Sequence, residues 1–125
     1  MILNDLLVLA AAIVLAQADP YDIAGDMAKC RSMKHGDKAV SAITTFCNNP
    51  SIHAPSTYAQ NGITNGNIHV MISGNCSPQQ WIPWYWCEAQ FFNMCANSQM
   101  SSIMASHQYG DNGCQHFSIT TGSEY

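Results

Sequence analysis

Six cysteines constrain the fold of this chain more than any other feature. They lie between residues 30 and 114: Cys30, Cys47, Cys76, Cys87, Cys95 and Cys114. An even number of cysteines in a short chain predicts a disulfide framework, and six cysteines allow fifteen pairings. Zinc is the alternative, but the sequence lacks the C-x2-C pairs and close Cys/His groups of a structural zinc site. We therefore expect a small disulfide-stabilised domain with no metal and no cofactor.

The apolar run LLVLAAAIVLAQA near the start of the sequence is short for a membrane span and ends in a small-x-small pattern. We expect cleavage after Ala18. Residues 1–18 would then be a signal peptide, and residues 19–125 a single secreted, extracellular domain that does not contact the membrane in its mature form. The residues before the run include no Lys or Arg, which is atypical of a signal peptide. An N-terminal membrane anchor is therefore the alternative.

The few positive charges are confined to one short segment. The chain has 4 Lys and Arg residues and a net charge of −4, and all of its Lys and Arg lie within residues 29–38. We expect this segment to be a solvated loop that contains one disulfide cysteine. A nucleic-acid surface needs several cations along a groove, so we expect no nucleic-acid partner. The remaining surface must be built from Ser, Thr, Asn, Gln and Tyr, which suits a neutral polar partner.

Two helices are predicted from apolar spacing. The first begins at Lys38, with Asp37 as its N-cap, and ends at the NNP of residues 48–50. The second begins at Pro83, which suits the first position of a helix. Its apolar stripe comprises Trp84, Cys87, Phe91, Met94 and Cys95. A pattern resembling a capping box at Ser77 and Gln80 predicts one extra helical turn before it.

Alternating apolar residues predict the strands. Residues 67–73 form one strand, and the tail forms a hairpin of residues 101–109 and 114–120. The hairpin turn is predicted at Asn112-Gly113, a pair that accepts positive φ at both positions. Residues 63–64 suit either a short strand or a loop. The pattern indicates an α+β fold, a small antiparallel sheet with two helices packed on one side and stapled by disulfides.

The tail also carries a family resemblance. A helix bracketed by Cys87 and Cys95 precedes a strand and the run YGDNGCQHFSI, from Tyr109 to Ile119. This arrangement resembles the C-terminal half of fungal secreted glycan-binding proteins of the Y3 lectin type. The resemblance implies a small disulfide-stapled α/β sandwich that binds carbohydrate without cleaving it. It identifies no ligand-binding residue in this sequence.

The aromatic run WIPWYW supplies candidates for sugar binding. On a helix from Pro83, Trp84 would face the core, so that Tyr85 and Trp86 point elsewhere. A flat aromatic ring suits the apolar face of a sugar, and hairpin amides, carboxylates and hydroxyls can bond its hydroxyl groups. The candidate ligand-binding residues are Tyr85, Trp86, Tyr109, Asp111, Asn112 and Gln115. The alternative is that the tryptophans simply fill a small core.

A disulfide prediction ties these candidates together. If the strand at 101–109 runs back along the second helix, the hairpin places Cys114 near Cys87. We therefore predict a Cys87–Cys114 bridge, which would hold four residues beside the start of the helix: Tyr109, Asp111, Asn112 and Gln115.

These observations favour a secreted, non-enzymatic, lectin-like protein whose partner is a glycan or a host surface glycoprotein. One alternative is a secreted effector or toxin-like protein that acts on a host protein through a contiguous apolar patch. Another is a small secreted ribonuclease that uses His69 and His116 as acid and base. Glu88 is the only acidic residue between Asp37 and Asp111, which disfavours a two-carboxylate glycosidase. We expect no catalytic residue, and His116 in particular is not predicted to be a base.

Overall fold

The structure is a computed structural model that describes residues 21–122. The predicted signal peptide and its cleavage site lie outside the described residues. Within residues 21–122 the fold is α+β, with four α-helices, two small antiparallel sheets and three disulfides. The α+β class and the disulfide framework are thereby confirmed. No helix in this part of the chain is long and apolar enough to cross a bilayer.

The described residues contain the following elements in chain order. The helices are α1 (Ile23–Arg31), α2 (Gly36–Cys47), α3 (Thr57–Asn61) and α4 (Trp84–Ala96). The strands are β1 (His53–Ala54), β2 (Ile63–Asn65), β3 (Ile68–Gly74), β4 (Gln80–Trp81), β5 (Ala105–Tyr109) and β6 (Gln115–Thr121). The larger sheet has the order β2-β3-β6-β5, and β1 pairs with β4 in the smaller one.

Burial alternates along the two central strands of the larger sheet. On β3 the side chains of Ile68, Val70 and Ile72 are buried, and those between them are only partly so. Phe117 and Ile119 are buried in the same way on β6. The β3–β6 register pairs residues 68 with 121 and 74 with 115, so the buried side chains share one face. The predicted alternation is confirmed in both strands.

An aromatic core joins the helices to this buried face. Phe46 on α2 contacts Phe91 on α4 edge to face at 5.7 Å between ring centroids. Phe91 in turn lies 4.8 Å from Phe117 on β6. All three rings are fully buried, and truncating one of them to alanine costs about 3–5 kcal/mol in typical cores. The apolar spacing that predicts this helix is confirmed, because Ala39, Val40, Ile43, Phe46 and Cys47 are buried on α2.

The start of α2 differs from the prediction. The helix begins at Gly36, its N-cap is His35 with φ 65°, and Asp37 lies in the first turn rather than at the cap. The Asp37 carboxylate lies 3.8 Å from Arg31 Nε instead. The early start follows from close packing at the end of α1, where a Cβ on Gly36 would lie 2.3 Å from the Cys30 carbonyl oxygen. Glycine is the residue that permits this approach.

Helix α1 was not predicted, and part of the expected basic loop belongs to it. Its apolar residues do not form a marked stripe, so periodicity gives little signal. Local and tertiary contacts stabilise it instead: the Asp22 carboxylate accepts from Gly25 N at 3.0 Å, and Asn93 Nδ2 donates to Asp26 Oδ2 at 3.2 Å. The Cys30–Cys95 disulfide links its end to α4.

Two further boundaries are corrected. Residues 77–80 do not form a helical turn, because Gln80 and Trp81 extend to pair with Ala54 and His53. The first strand of the tail hairpin begins at Ala105 rather than at residue 101, since Gln99 and Ser102 form a bridged turn before it. Residues 63–64, left open between strand and loop, belong to β2.

The disulfide pairing corrects the predicted Cys87–Cys114 bridge. The three bridges are Cys30–Cys95, Cys47–Cys87 and Cys76–Cys114. The predicted bridge follows from the position of β5 beside α4 and leaves out β3. Strand β3 is the second strand that pairs with β6. Pairing of Gly74 with Gln115 brings the end of β3 to Cys114, and Asn75 N donates to the Cys114 carbonyl at 3.1 Å. Cys95 and Cys87 thereby link α4 to α1 and α2.

Candidate functional site

All three tryptophans of the chain are exposed. Trp81, Trp84 and Trp86 retain 58%, 56% and 41% of their accessible surface. The alternative that they fill the core is therefore wrong. Trp86 is exposed as predicted, and Tyr85 is half-buried beside it, with the two rings edge to face at 5.0 Å. Exposed tryptophans grouped within six residues of sequence call for an explanation, because burying such rings would stabilise the domain.

Trp84 does not face the core, which corrects the predicted stripe. It occupies the first turn of α4, directly after the N-cap Pro83. Helical side chains tilt toward the N-terminus, so a residue in the first turn projects beyond the end of its own helix. Phe91 lies two turns further along the helix and is buried in the core, whereas Trp84 is exposed.

Trp81 is held in place by backbone contacts on both sides. Strand β4 pairs with β1, and the Trp81 indole Nε1–H donates to the Pro50 carbonyl at 3.0 Å. The next residue, Ile82, donates its backbone N–H to the Ile52 carbonyl at 2.8 Å. The ring is therefore exposed and yet fixed in orientation, which is what a preorganised binding site requires.

A groove lies between these rings and the tail hairpin. We call it the tryptophan groove, and its volume is about 180 Å³. Its lining residues are Trp81, Ile82, Pro83, Trp86, Gln90, Gly110 and Gln115. Among these described lining residues there is no charged side chain. The groove therefore offers aromatic surface and carboxamide groups, and nothing that would pair with an ionic ligand.

A glutamine network stabilises the hairpin side of the groove. Gln80 Oε1 accepts from Gln115 Nε2 at 2.9 Å and from the backbone N–H of Asp111 at 3.4 Å. Gly110 fits against both amides with φ 76°, and a Cβ there would lie 2.6 Å from Gln80 Oε1. A side chain at residue 110 would displace the network, so glycine is required by this close approach.

The Cys76–Cys114 disulfide anchors the same hairpin. It joins the segment after β3 to the residue that precedes Gln115. The turn between β5 and β6 is a short 3₁₀ segment, Asp111–Gly113, in which Asn112 has φ 55° and Gly113 φ 69°. Positive φ at both residues, as predicted for Asn112-Gly113, is confirmed, but the connection is longer than a two-residue turn.

The structure does not bring all of the predicted site residues together. Trp86 and Gln115 line the tryptophan groove, and Asp111 contributes its backbone N–H to the network behind it. Asn112 is exposed at the tip of the turn. Tyr109 lies instead in a neighbouring cavity of about 290 Å³ between α4 and β5. Burial raises the pKa of the Tyr109 phenol to about 12, and the hydrogen-bonded Tyr21 phenol adds to the shift.

The residues of this region that were not predicted as site residues include Tyr21, Gln80, Trp81 and Gln90. Tyr21 contacts the ring of Trp86 edge to face at 6.0 Å and lines the neighbouring cavity. No local pattern marks it, because it reaches the site from the start of the described chain. Trp86 and Gln90 are four residues apart on one helix, so helical spacing alone indicates that they share a face.

The other face of the larger sheet is mostly polar, and its described side chains are exposed or partly exposed; we call it the open sheet face. Register places these residues on it: Thr64, His69, Met71, Ser73, Ser106, Gln108, His116, Ser118 and Thr120. His116 Nε2 accepts from Gln108 Nε2 at 3.5 Å, and His69 Nδ1 and Thr64 Oγ1 share a hydrogen bond of 2.7 Å. His69 pairs with Thr120 and His116 with Ser73, so the histidines are four residues apart along the strands, about 13 Å. One phosphate cannot contact both imidazoles. The histidine pair that the ribonuclease alternative requires is therefore not formed.

Glu88 is the one acidic residue of α4, and its side chain is buried. Burial raises its pKa above 4.5, and a hydrogen bond from Trp84 partly opposes the shift. It does not line the tryptophan groove. Within residues 21–122, no cluster of three or more His, Cys, Asp or Glu residues is placed to hold a metal ion.

A scan against protein-family models, a search of curated proteins and a search of solved structures found no match to this chain. The resemblance of the tail to lectins of the Y3 type therefore stays a prediction.

Proposed function

We propose that this protein is a secreted, non-enzymatic carbohydrate-binding protein that uses the tryptophan groove. The observation that carries the proposal is the pairing of fixed, exposed aromatic rings with amide groups. Trp81 and Trp86 offer flat apolar surface, and Gln90 and Gln115 offer polar atoms beside it. A sugar ring has the same two kinds of surface, because apolar C–H faces alternate with hydroxyl edges.

The alternative of a host-protein effector is less well supported by the same residues. A protein-binding surface of this kind calls for a contiguous apolar patch of several hundred Å². Trp81 and Trp86 border a groove in which carboxamides interrupt the apolar surface. That composition suits a small polar ligand better than a protein side chain.

Secretion is part of the proposal and is supported by the disulfides. Three bridges in a small domain are typical of proteins that fold in an oxidising compartment. The partner would then be a glycan, either free or on a host surface glycoprotein.

The experiment is a glycan array with the oxidised protein of residues 19–125, followed by titration of the best ligand. Trp86→Ala should weaken binding at least tenfold, because the ring lines the groove. Trp84→Ala is the matched control: it removes the same side chain from the same helix turn, but Trp84 does not line the groove, so affinity should change less than twofold.

Absence of reproducible glycan binding at about 100 µM protein would reject the proposal. Equal losses for Trp84→Ala and Trp86→Ala would reject the groove as its location. Binding to host proteins without glycan dependence would favour the effector alternative.

A further inference from the structure

Among the described residues that line the tryptophan groove, one has a buried polar atom without a hydrogen-bond partner. Buried side-chain nitrogen or oxygen atoms without a hydrogen bond occur on two of the described residues, Asn67 and Gln90. Asn67 lies in the β2–β3 turn, away from the groove, whereas Gln90 lines it. The unpartnered Gln90 atom is its carbonyl oxygen, Oε1. A buried acceptor in this state destabilises the folded protein, and native structures keep few of them.

The neighbouring glutamines do not satisfy Gln90. Gln80 Oε1 already accepts two hydrogen bonds, and Gln115 Nε2 donates to Gln80. Gln90 lies one helical turn after Trp86, so its carboxamide lies next to that exposed ring. The groove is therefore lined by a residue whose buried carbonyl oxygen has no partner in the free protein, beside an aromatic ring that suits an apolar face.

The charge of the groove restricts the ligand further. No charged side chain is among its described lining residues, and every Lys and Arg of the chain lies within residues 29–38. A carboxylate or sulfate group would lose its hydration in the groove without gaining a cation. The volume of about 180 Å³ is that of one sugar ring rather than of a longer chain.

We propose that the groove binds a single uncharged pyranose unit, and that one hydroxyl or amide N–H of that unit donates to Gln90 Oε1. This inference rests on the proposed function and names the ligand class and the residue that selects it. Trp81 and Trp86 would flank the ring. A charged sugar, such as a uronic acid, would be excluded.

The decisive variant is Gln90→Met, which keeps the length of the side chain and removes the acceptor. Affinity for the ligand should fall at least tenfold, because a donor in the bound sugar is left without a partner. The thermal midpoint of the free protein should stay the same or rise, because a buried unsatisfied acceptor has been removed. A residue with a purely structural role would lower the midpoint instead. Gln60→Met, on the exposed surface of α3, is the matched control and should change neither quantity.

The probes are methyl glycosides of neutral hexoses and N-acetylhexosamines, compared with methyl glucuronide, by titration calorimetry. A monodeoxy series on the wild-type protein tests the same bond without any variant. Loss of one particular donor group should cost at least tenfold in affinity, and the losses at the other positions should be smaller.

Three results would overturn the inference: wild-type affinity in Gln90→Met, equal affinity for the glucuronide, or a monodeoxy series with no sensitive position. Each is distinguishable from failure of the proposed function. If Trp86→Ala abolishes glycan binding while Gln90→Met does not, the protein is a lectin and only the role of Gln90 is wrong. If no glycan binds the wild-type protein, both proposals fail.

Discussion

The tryptophan groove and the open sheet face both present polar side chains to solvent, but they arise differently. The open sheet face is polar because strands with one buried face alternate in side-chain direction, so folding alone accounts for Ser118 and His116. Folding does not account for Trp81 and Trp86, whose exposed rings cost hydrophobic stabilisation. A polar surface on a small sheet is therefore weak evidence of function, and exposed, oriented aromatic rings are stronger evidence.

Disulfide removal should produce the largest effect on the free energy of unfolding. Cys76→Ala with Cys114→Ala opens a bridge of sequence separation 38, and Cys30→Ala with Cys95→Ala opens one of separation 65. The chain-entropy model gives a loss of about 4 kcal/mol in unfolding free energy for each pair. Denaturant titration measures both losses.

The two bridge variants should differ in ligand binding. The Cys76–Cys114 bridge adjoins Gln115, whereas Cys30–Cys95 joins α1 to the end of α4 remote from Trp86. Where both variants are folded, only loss of Cys76–Cys114 should weaken glycan affinity. Equal affinities in the two variants would show that the hairpin does not depend on its disulfide.

The disulfide pairing also shows which features of the fold can be predicted from the sequence and which cannot. The alternation of β3 and the buried face of α2 were predictable, because each depends on spacing within one segment. The partner of Cys114 was not, because it depends on β6 pairing with β3 as well as with β5.

Within the site, the exposure of Trp86 was predictable from its place on the helix, and that of Trp84 was not. Trp84 lies on the same stripe as Phe91, but the core does not extend to the first helical turn. Helical spacing places Gln90 on the same face as Trp86, but Gln80 carries no local signal of its own. Its role becomes visible only once β4 and the hairpin are brought together.

Glycine replacement should give the next largest effect. Gly110→Ala places a Cβ 2.6 Å from Gln80 Oε1 at φ 76°, and Gly66→Ala places one 2.6 Å from Lys38 Cδ at φ 60°. Each should lower the unfolding free energy by about 1–3 kcal/mol, since both force a side chain into a positive-φ position. Only Gly110→Ala should also reduce glycan affinity, by tenfold or more, because it displaces the glutamine network. Unchanged affinity in Gly110→Ala would show that the network does not shape the groove.

Glu88→Gln should have a smaller, pH-dependent effect on stability. Burial raises the pKa of Glu88 above 4.5, so the folded state binds the proton more tightly than the unfolded state does. The contribution of Glu88 to stability is therefore most favourable at low pH and declines as pH rises through the folded pKa. The Gln variant should be more stable at pH 7, on the order of 1 kcal/mol, and the gain should vanish below about pH 4. Thermal unfolding across this pH range measures the difference, and a gain independent of pH would contradict the assignment.

The smallest effect is expected at His116, on the open sheet face. Its imidazole is half-buried beside Gln108 and about 13 Å along the strands from His69, so it has no second histidine with which to share a phosphate. His116→Ala should change the unfolding free energy by about 0.5 kcal/mol or less, as surface substitutions usually do. Glycan affinity should stay within twofold of the wild type, because His116 does not line the tryptophan groove. RNA incubated with either protein should remain intact. If the wild type degrades RNA and His116→Ala does not, the open sheet face is a catalytic surface after all, and the contrast between the two regions is lost.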